Sequence, residues 1–359
     1  MGVLCRVRPT GVSTALRDDD NTARAITVES GDSFVCDPSD TILRAALRAG
    51  FAFPYECNVG QCGSCRFELL KGEVEDLWPS APALNERDRR KSRKLACQSR
   101  PISDCVIKVR ADPDCAPLHR PVRRSVALIS IRNVTHDIRE FCFRGVEPAA
   151  FCPGQYALMQ LPGVVGPRAY SMCNNANDDG EWHFLIKHVS GGVGTGVLFD
   201  DLRVGSSIII DAPFGMAYLR DDVARDIVCI AGGSGLSPLI SIARAASAPS
   251  ALADRRISFF FGGRGPADIC GEEYLRLLPG FGDRVTYQAA ISMAELDVRQ
   301  TWVGFVGFIH DFVEQALGVD VVKREFYLAG PPPMLQATLQ MLVSRCKVPV
   351  TQVHFDRFF

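Results

Sequence analysis

The stretch CNVGQCGSC, residues 57–65, contains three of four cysteines that form a spaced set in this chain. Cys57, Cys62 and Cys65 are followed by Cys97, so that the spacing is C-x4-C-x2-C-x31-C. Thiolates at this spacing are typical of a [2Fe–2S] cluster, because they neutralise ferric charge and delocalise it. A zinc knuckle or four unrelated core cysteines are the alternatives, but zinc sites favour two short pairs and only one pair is short here. The four cysteines are therefore predicted to be metal ligands of an electron-transfer protein.

Residues 25–111, on either side of this stretch, are predicted to form one compact domain. The predicted strands AITVES and DSFVC precede a helix from about Asp40 to Ala49, which Ser39 or Asp40 can cap and Gly50 can end. Two more predicted strands, RFELL and DCVIKV, follow the cysteines. Together with the cysteine spacing, these elements predict a β-grasp ferredoxin domain with a plant-type cluster.

The run ERDRRKSRK, residues 86–94, places six basic side chains just ahead of Cys97. Runs of this kind are usually solvated faces. The other interpretation is a docking patch for an acidic redox partner, which would bring that partner close to the metal. The sequence alone leaves both interpretations open.

Two further domains are predicted after a linker over residues 112–122. Residues 123–222 contain six short alternating strands with Gly and Pro turns, which predict an antiparallel β-barrel: SVALISI, EFCFRG, QYALMQL, AYSMC, WHFLIKHV and SIIID. Residues 223–359 alternate strands with helices, which is the pattern of a parallel α/β sheet with crossover helices. The predicted fold class is therefore multidomain, with β and α/β parts.

Two loops in the last of these domains indicate nucleotide binding. The strand DIVCIA runs into GGSGLSP and a helix, so backbone N–H groups could approach a pyrophosphate closely. The residues expected at this loop are Gly232, Gly233, Gly235 and Pro238. AGPPPM, residues 329–334, also follows a strand, and both loops should border one site. Arg264 could contact the adenosine end, where it would either select NADPH through the 2′-phosphate or merely cap the site.

The barrel carries a second candidate site. In RAYS, residues 168–171, strand alternation places Arg168 and Tyr170 on one face. A cation beside an aromatic ring could hold a phosphate and stack on a flavin ring. The turn GGVGT, residues 191–195, opens a helical segment and adds an anion-binding turn with a hydroxyl group.

The composition excludes several classes of function. The 359 residues are 47% hydrophobic and 23% charged, which is enough apolar material for two or three packed domains. Lys plus Arg (40) nearly balances Asp plus Glu (41), so nucleic acid is not an expected partner. No run approaches the roughly 20 apolar residues of a membrane span. We expect a cytoplasmic protein with no membrane partner and a disordered arm over residues 1–24.

The motifs RAYS, GG-x-x-T, GGSGLSP and AGPPPM occur here in the order and spacing of the ferredoxin–NADP+ reductase superfamily. With the N-terminal cysteine pattern, residues 25–359 resemble the reductase component of bacterial multicomponent oxygenases. PYECN, DLWPSAPAL, LACQSRP and the ending HFDRFF resemble most closely the reductases of toluene monooxygenases. Reductases of carbazole-type dioxygenases are similar.

This resemblance implies FAD, a [2Fe–2S] cluster and NADH as cofactors, with NADPH not excluded. The implied flavin site comprises Arg168, Ala169, Tyr170, Ser171, Gly191, Gly192 and Thr195. The implied nucleotide site comprises Gly232, Gly233, Gly235, Pro238, Gly330, Pro331, Pro332 and Met334. Phe355 and Phe358 would lie near the flavin, and the expected catalytic residues are Tyr170, Ser171 and Phe358. Two positions differ from relatives, since Ala329 stands where many have Cys and Asp356 where some have Glu.

The implied partner is a protein electron acceptor, most simply the hydroxylase of a diiron aromatic monooxygenase. A Rieske-type dioxygenase, reached directly or through a Rieske ferredoxin, is the alternative within enzymes. The rival from another class is a non-enzymatic iron–sulfur carrier or redox sensor with vestigial nucleotide sites, against which the intact RAYS and GGSGLSP motifs argue. A monomer is expected, while the organic substrate is not encoded because this component would not bind it.

Overall fold

The computed structural model describes residues 22–248, 252, 254–293 and 302–357, and most of the predicted arm over residues 1–24 lies outside them. The described residues form three main sheets, one for each predicted domain. The strands of each sheet come from one predicted segment, except that the first strand begins at Arg24 and the barrel begins at Val122. Among the helices of the described residues, none has the length and apolar character needed to cross a membrane.

The first domain is a five-stranded mixed sheet covered by a helix. The domain has the strands β1 (Arg24–Val28), β2 (Ser33–Cys36), β3 (Arg66–Lys71), β4 (Val74–Asp76), β5 (Arg93–Leu95), β6 (Ser99–Pro101) and β7 (Cys105–Lys108), of which β4 and β6 form a separate two-stranded sheet. Its helices are α1 (Ile42–Ala49) and α2 (Glu86–Arg90). The main sheet has the order β2-β1-β7-β3-β5, and β1 pairs with β7 in parallel.

Helix α1 packs against this sheet along an apolar face that buries Ile42, Leu43 and Leu47. The predicted N-cap was wrong, because the side chain of Thr41 accepts the hydrogen bond from the backbone N–H of Arg44. Gly50 ends the helix as predicted, with a φ of 87° that favours glycine. The helix therefore begins at Ile42, about one half-turn later than the sequence pattern indicated.

The second domain is the predicted antiparallel barrel, and all six predicted strands form. They are β8 (Val122–Asn133), β9 (Ile138–Arg144), β10 (Tyr156–Gln160), β11 (Arg168–Ser171), β12 (Glu181–Lys187) and β13 (Ser207–Phe214). Their order is β11-β10-β13-β8-β9-β12, and a bridge between Met172 and Phe184 brings the two edges together. The short helix α3 (Val193–Gly196) follows β12.

The third domain is a parallel sheet of six strands with the order β17-β16-β15-β14-β18-β19. The strands are β14 (Asp226–Gly232), β15 (Ile257–Gly263), β16 (Val285–Ile291), β17 (Phe305–Val306), β18 (Arg324–Gly330) and β19 (Val353–Arg357). The helices are α4 (Leu236–Ser247), α5 (Glu272–Leu275), α6 (Ile309–Leu317) and α7 (Pro332–Leu339). Strand β19 was not predicted, and it pairs in parallel with β18 at the sheet edge.

The ferredoxin-like domain and the barrel share one apolar core. Tyr156, Leu158 and Phe214 of the barrel belong to the same buried cluster as the core of the first domain. The hydroxyl of Tyr156 donates to the backbone oxygen of Glu56 at 2.7 Å, and the hydroxyl of Tyr55 accepts from the N–H of Gly215 at 3.0 Å. Because Glu56 immediately precedes Cys57, these contacts fix the cysteine loop against the barrel.

Candidate functional site

The four predicted metal ligands lie together at the edge of the first domain. Cys57 and Cys62 are half-buried, whereas Cys65 and Cys97 are buried. The Sγ of Cys57 accepts from the N–H of Cys62 at 3.4 Å, and the Sγ of Cys62 accepts from the N–H of Ser64 at 3.5 Å. Backbone donors directed at sulfur are what a cysteine loop needs to stabilise thiolates.

The four thiols also contact one another in two pairs. A hydrogen bond from Cys57 is the main cause that lowers the pKa of Cys62 to about 5. In the same way, a hydrogen bond from Cys65 lowers the pKa of Cys97. The four thiols thus lie close enough to act as convergent donors, as a metal cluster requires.

Two glycines allow the cysteine loop to wrap tightly. Gly60 and Gly63 have φ values of 86° and 81°, which L side chains rarely adopt. A Cβ at Gly60 would also lie 3.0 Å from the ring of Trp78, and one at Gly63 would meet the guanidinium of Arg66. The loop is therefore closely covered by its neighbours on one side.

Some of the basic side chains in the run ahead of Cys97 are engaged in contacts within the first domain. Three of the six cations of the run hold local structure: Arg89 donates to the backbone oxygens of residues 79, 81 and 84, Arg93 pairs with Asp88, and Lys94 pairs with Asp76. Arg87, Arg90 and Lys91 are exposed, and Arg90 lies 3.5 Å from the carboxylate of Glu86. Half of the run thus serves the fold of the first domain.

A single cleft of about 1890 Å³ joins the three domains. Cys57 and Cys97 line it at one end, residues 168–171 line its middle, and residues 232–234 and 331–334 line it further on. The metal loop and both predicted nucleotide sites therefore open into the same space.

The predicted flavin residues surround a glycine turn in the middle of this cleft. Arg168 and Tyr170 project from one face of β11, as alternation predicts, because a Cβ at Gly194 would lie 3.0 Å from Cγ of Arg168 and 3.3 Å from the hydroxyl of Tyr170. The hydroxyl of Thr195 accepts from the N–H of Val189 at 3.1 Å and so closes the turn. Burial raises the pKa of Tyr170 to about 12, so this phenol stays neutral.

Strand β11, which carries the predicted flavin residues, is held against the first turn of helix α4, which follows the predicted nucleotide loop. The hydroxyl of Ser237, in the first turn of α4, donates to the backbone oxygen of Ser171 at 2.6 Å and accepts from the N–H of Leu185 at 3.1 Å. The loop has no room for a side chain at Gly235, because a Cβ there would overlap the backbone of Ala329. A Cβ at Gly232 would likewise collide with the sulfur of Met334. The two predicted nucleotide loops therefore pack directly against each other, and only glycine fits between them.

Not every predicted site residue reaches the cleft. Those that line it, besides Cys57 and Cys97, are Arg168, Ala169, Tyr170, Ser171, Gly192, Thr195, Gly232, Gly233, Arg264, Pro331, Pro332 and Met334. Those outside its lining are Cys62, Cys65, Gly191, Gly235, Pro238, Gly330 and Phe355. Phe355 packs against the core of the third domain, because alternation along β19 turns it away from Asp356. Phe358 lies outside the described residues.

Several residues of the cleft carried no signal in the sequence. Lys187 lies at the end of β12, and its side chain runs beside Gly233. Phe308 and His310, whose rings stack 5.7 Å apart, line the cleft on the same side of the third domain as Arg264. These side chains come together only through the sheet order, which local sequence patterns do not reveal.

Asp356 is a titratable group that lines the cleft. Burial, with a smaller contribution from Glu56, raises the pKa of Asp356 to about 7. Its Oδ2 has no hydrogen-bond partner among the described residues. In the β18–β19 ladder Asp356 lies opposite Ala329.

We expect this carboxyl to give flavin reduction by NADH a pH dependence centred near 7. Asp356 is protonated below its pKa of about 7 and negative above it. A negative charge beside the flavin ring would oppose the addition of hydride, because the ring gains negative charge in that step. The rate constant should therefore fall by on the order of five-fold between about pH 6 and about pH 8. Stopped-flow measurements on the wild type and Asp356→Asn test this, and an unchanged profile in the variant would contradict it.

A further group of possible metal ligands lies on the outer face of the barrel. Cys142 and His183 are opposite each other in the β9–β12 ladder, and ligand atoms of Glu181 and both these residues lie within 4.8 Å. Glu181 pairs with Arg144, and hydrogen bonds with Cys142 and Glu140 raise the pKa of His183 to about 10 despite its burial. The described neighbours thus neutralise this group as an ion-pair network.

The side chains and backbone groups around the cleft suit three different cofactors. Four convergent thiols fit an iron–sulfur cluster. The turn at Gly194, flanked by Arg168 and Tyr170, leaves a cradle that a Cβ would fill and that suits the pyrophosphate and ring of a flavin. The glycine loop before α4 similarly exposes backbone N–H groups to a dinucleotide. Fold and site together define an iron–sulfur flavoprotein that uses a nicotinamide nucleotide.

Comparison with known proteins agrees with this class. Three family models match the chain: a 2Fe-2S iron-sulfur cluster binding domain at residues 26–101, an oxidoreductase FAD-binding domain at 125–218 and an oxidoreductase NAD-binding domain at 229–340. The chain belongs to the family of reductases in which a plant-type [2Fe–2S] domain is fused to a ferredoxin–NADP+ reductase-like module, the family of oxygenase reductase components. It is an oxidoreductase with FAD, a [2Fe–2S] cluster and a nicotinamide nucleotide as its cofactors.

The relatives span nearly the whole chain. The ferredoxin–NAD(P)+ reductase CarAd of Metapseudomonas resinovorans is 40% identical, over 90% of this chain and 96% of its own. The ferredoxin–NAD+ reductase component of the alkene monooxygenase system of Xanthobacter autotrophicus is also 40% identical, over 92% and 99%. The xylene/toluene monooxygenase electron transfer component XylA of Pseudomonas putida is 32% identical, over 92% and 91%.

A solved structure has the same arrangement of domains. The ferredoxin reductase in carbazole 1,9a-dioxygenase superposes with a TM-score of 0.86 at 36% identity, covering 94% of this chain and 99% of that one. The predicted resemblance to oxygenase reductases is therefore confirmed, and so is the predicted fold class.

Proposed function

We propose that this enzyme takes a hydride from NADH, passes the electrons through FAD to its [2Fe–2S] cluster, and delivers them singly to the hydroxylase of a diiron aromatic monooxygenase. The observation that carries the proposal is the single cleft that borders the cysteine loop, the RAYS strand and the GGSG loop. A chain that accepts electrons in pairs and releases them singly needs both kinds of centre within one enclosed space.

The protein contributes positioning rather than acid–base chemistry. FAD, when bound, accepts the two electrons of a hydride together and releases them one at a time, which no side chain can do. We assign the flavin phosphates to Arg168, Gly192 and Thr195, and the flavin ring to Tyr170 and Ser171. Alignment of the rings and exclusion of water then depend on the contact between Ser171 and Ser237, which locks the barrel to the third domain.

We assign the nicotinamide nucleotide to the loops around Gly232 and Met334. The stem of Lys187 extends beside Gly233, while its ammonium pairs with Asp137 and lies 3.9 Å from Asp268. Arg264 is exposed and has no ion-pair partner among the described residues, so its guanidinium is free to contact the adenosine end. NADH is the proposed donor, whereas an Arg264 that pairs with a 2′-phosphate would favour NADPH.

The identity of the acceptor rests on resemblance. The relatives include reductases named for alkene and xylene/toluene monooxygenases, which favours a monooxygenase. CarAd and the carbazole reductase structure favour the alternative, a Rieske-type dioxygenase system. In either case we propose that the acceptor docks on the first domain, where Arg87, Arg90 and Lys91 offer a basic patch to an acidic partner. The free cysteines of the described residues suit the reducing cytoplasm.

Anaerobic mixing with NADH tests the proposal. Purified enzyme is expected to be reddish-brown, to lose its flavin absorbance first and then to lose its cluster absorbance. Reduced enzyme should then transfer electrons to a purified diiron hydroxylase faster than to a Rieske ferredoxin. Preference for the Rieske protein would select the alternative acceptor. A colourless protein that contains zinc and no flavin would overturn the whole proposal.

A further inference from the structure

Arg44 is a buried cation that has no hydrogen-bond or ion-pair partner among the described side chains. It lies on α1 with 8% of its surface exposed. Its Nε is fully buried, and the side chain lines the cleft near Cys97. A buried charge with no counter-charge is costly, so a fold retains one only where something pairs with it.

The acids close to Arg44 are already engaged. The carboxylate of Asp40 forms ion pairs with the guanidinium groups of Arg48, at 2.8 Å, and Arg123, at 2.9 Å. The two carboxylate oxygens of Asp211 contact two guanidinium nitrogens of Arg48, at 2.5 Å and 3.0 Å. Three guanidinium groups thus face two carboxylates at the junction of the first domain and the barrel, which leaves one positive charge in excess.

The iron–sulfur site is the anion that the junction lacks. Helix α1 packs against the turn Ala96–Gln98, which carries Cys97. Burial lowers the pKa of Arg44, and the charges that oppose this are those of Asp211, Asp40 and Cys97. A [2Fe–2S] cluster on four thiolates is negative, and it gains a further negative charge on reduction.

We propose that Arg44 is the internal counter-cation of the cluster and raises its reduction potential. The positive charge stabilises the reduced cluster more than the oxidised one, because the reduced cluster is the more negative. Arg44 is a positioning residue in this role, since it acts through the cluster and touches neither substrate nor acceptor. The inference rests on the cofactors that the proposed function requires.

The test is a potentiometric titration of the full-length holoenzyme, in which the reduced cluster is detected by electron paramagnetic resonance. At the potential where half of the wild-type cluster is reduced, Arg44→Met should lower the ratio of reduced to oxidised cluster by on the order of ten-fold. Arg44→Lys should keep a ratio close to that of the wild type, because it keeps the charge. Lys71→Met, which removes an exposed cation of the same domain, is the matched control and should leave the ratio unchanged.

A fully loaded Arg44→Met cluster that titrates at the wild-type potential would overturn the proposal. Removal of an unpaired charge should not weaken the fold, and Arg44→Gln provides a second neutral variant if the Met variant loses its cluster. The flavin couple, read by its absorbance in the same titration, should not move by the same amount. A wild-type protein with no cluster signal would refute the cofactor assignment, which is a different failure from a cluster whose potential ignores Arg44.

Discussion

Cys62→Ser is expected to lower NADH-dependent cytochrome c reduction by at least about 100-fold, because a cluster that lacks one of four thiolates is lost or cannot cycle. Cys62 is half-buried, so the substitution does not disturb the packed core in the way that a change at Cys65 or Cys97 would. Reduction of ferricyanide, a small acceptor that can draw electrons from flavin, should remain within about two-fold of the wild type. The two activities therefore separate the cluster from the flavin.

Cys346→Ser is the matched control for this prediction. Cys346 is also a half-buried thiol, but it lies in the third domain, away from the proposed ligand set. Its variant should keep both activities and the full cluster absorbance. Wild-type cytochrome c reduction by a Cys62→Ser protein that has lost its cluster would show that electrons leave from the flavin instead.

Gly235→Ala is expected to lower kcat/KM for NADH by about 100-fold, with FAD and cluster retained. The added Cβ would overlap the backbone of Ala329 and Gly330, so the two loops that face the nucleotide must separate. The measurement is steady-state ferricyanide reduction at varied NADH concentration, with flavin and iron content determined on the same samples.

Gly265→Ala tests whether that loss is specific. Gly265 lies in the same domain with a φ of −141°, and a Cβ at this position meets no atom within 4 Å. This variant should bind NADH as the wild type does. Equal losses in both variants, or a Gly235→Ala enzyme with unchanged kcat/KM, would mean that the contact between the loops does not shape the nucleotide site.

Local sequence patterns predicted most of the helices and strands, because the residues of each element themselves favour the structure that it adopts. The six barrel strands alternate and are bounded by turns, and Gly50 ends α1 through its own backbone preference. Strand β19 escaped prediction because a short edge strand owes its existence to β18, which provides the hydrogen bonds. The N-cap of α1 was misplaced because Ser39, Asp40 and Thr41 are all capable of capping, and only the chain path selects one.

The residues of the candidate site fall into two groups, those that local sequence patterns could identify and those that they could not. The cysteines and glycine turns are contiguous motifs whose spacing carries the chemistry, so they could be found in the sequence. Arg44, Lys187 and Asp356 acquire their significance from neighbours more than 40 residues away, such as Gly233 beside Lys187. The role predicted for Phe355 is not supported by its packing, because the parity of an unpredicted strand decides which of Phe355 and Asp356 faces the cleft.

The apolar core that the first domain shares with the barrel limits how electrons can leave. Tyr156, Leu158 and Phe214 would be exposed to water if the two domains separated, so the iron–sulfur unit cannot swing outward on its linker as a tethered shuttle. The acceptor must instead travel to a rigid reductase and collide with it in the correct orientation. Turnover in a reconstituted system should then depend on acceptor concentration and ionic strength, and lengthening the linker should not accelerate it.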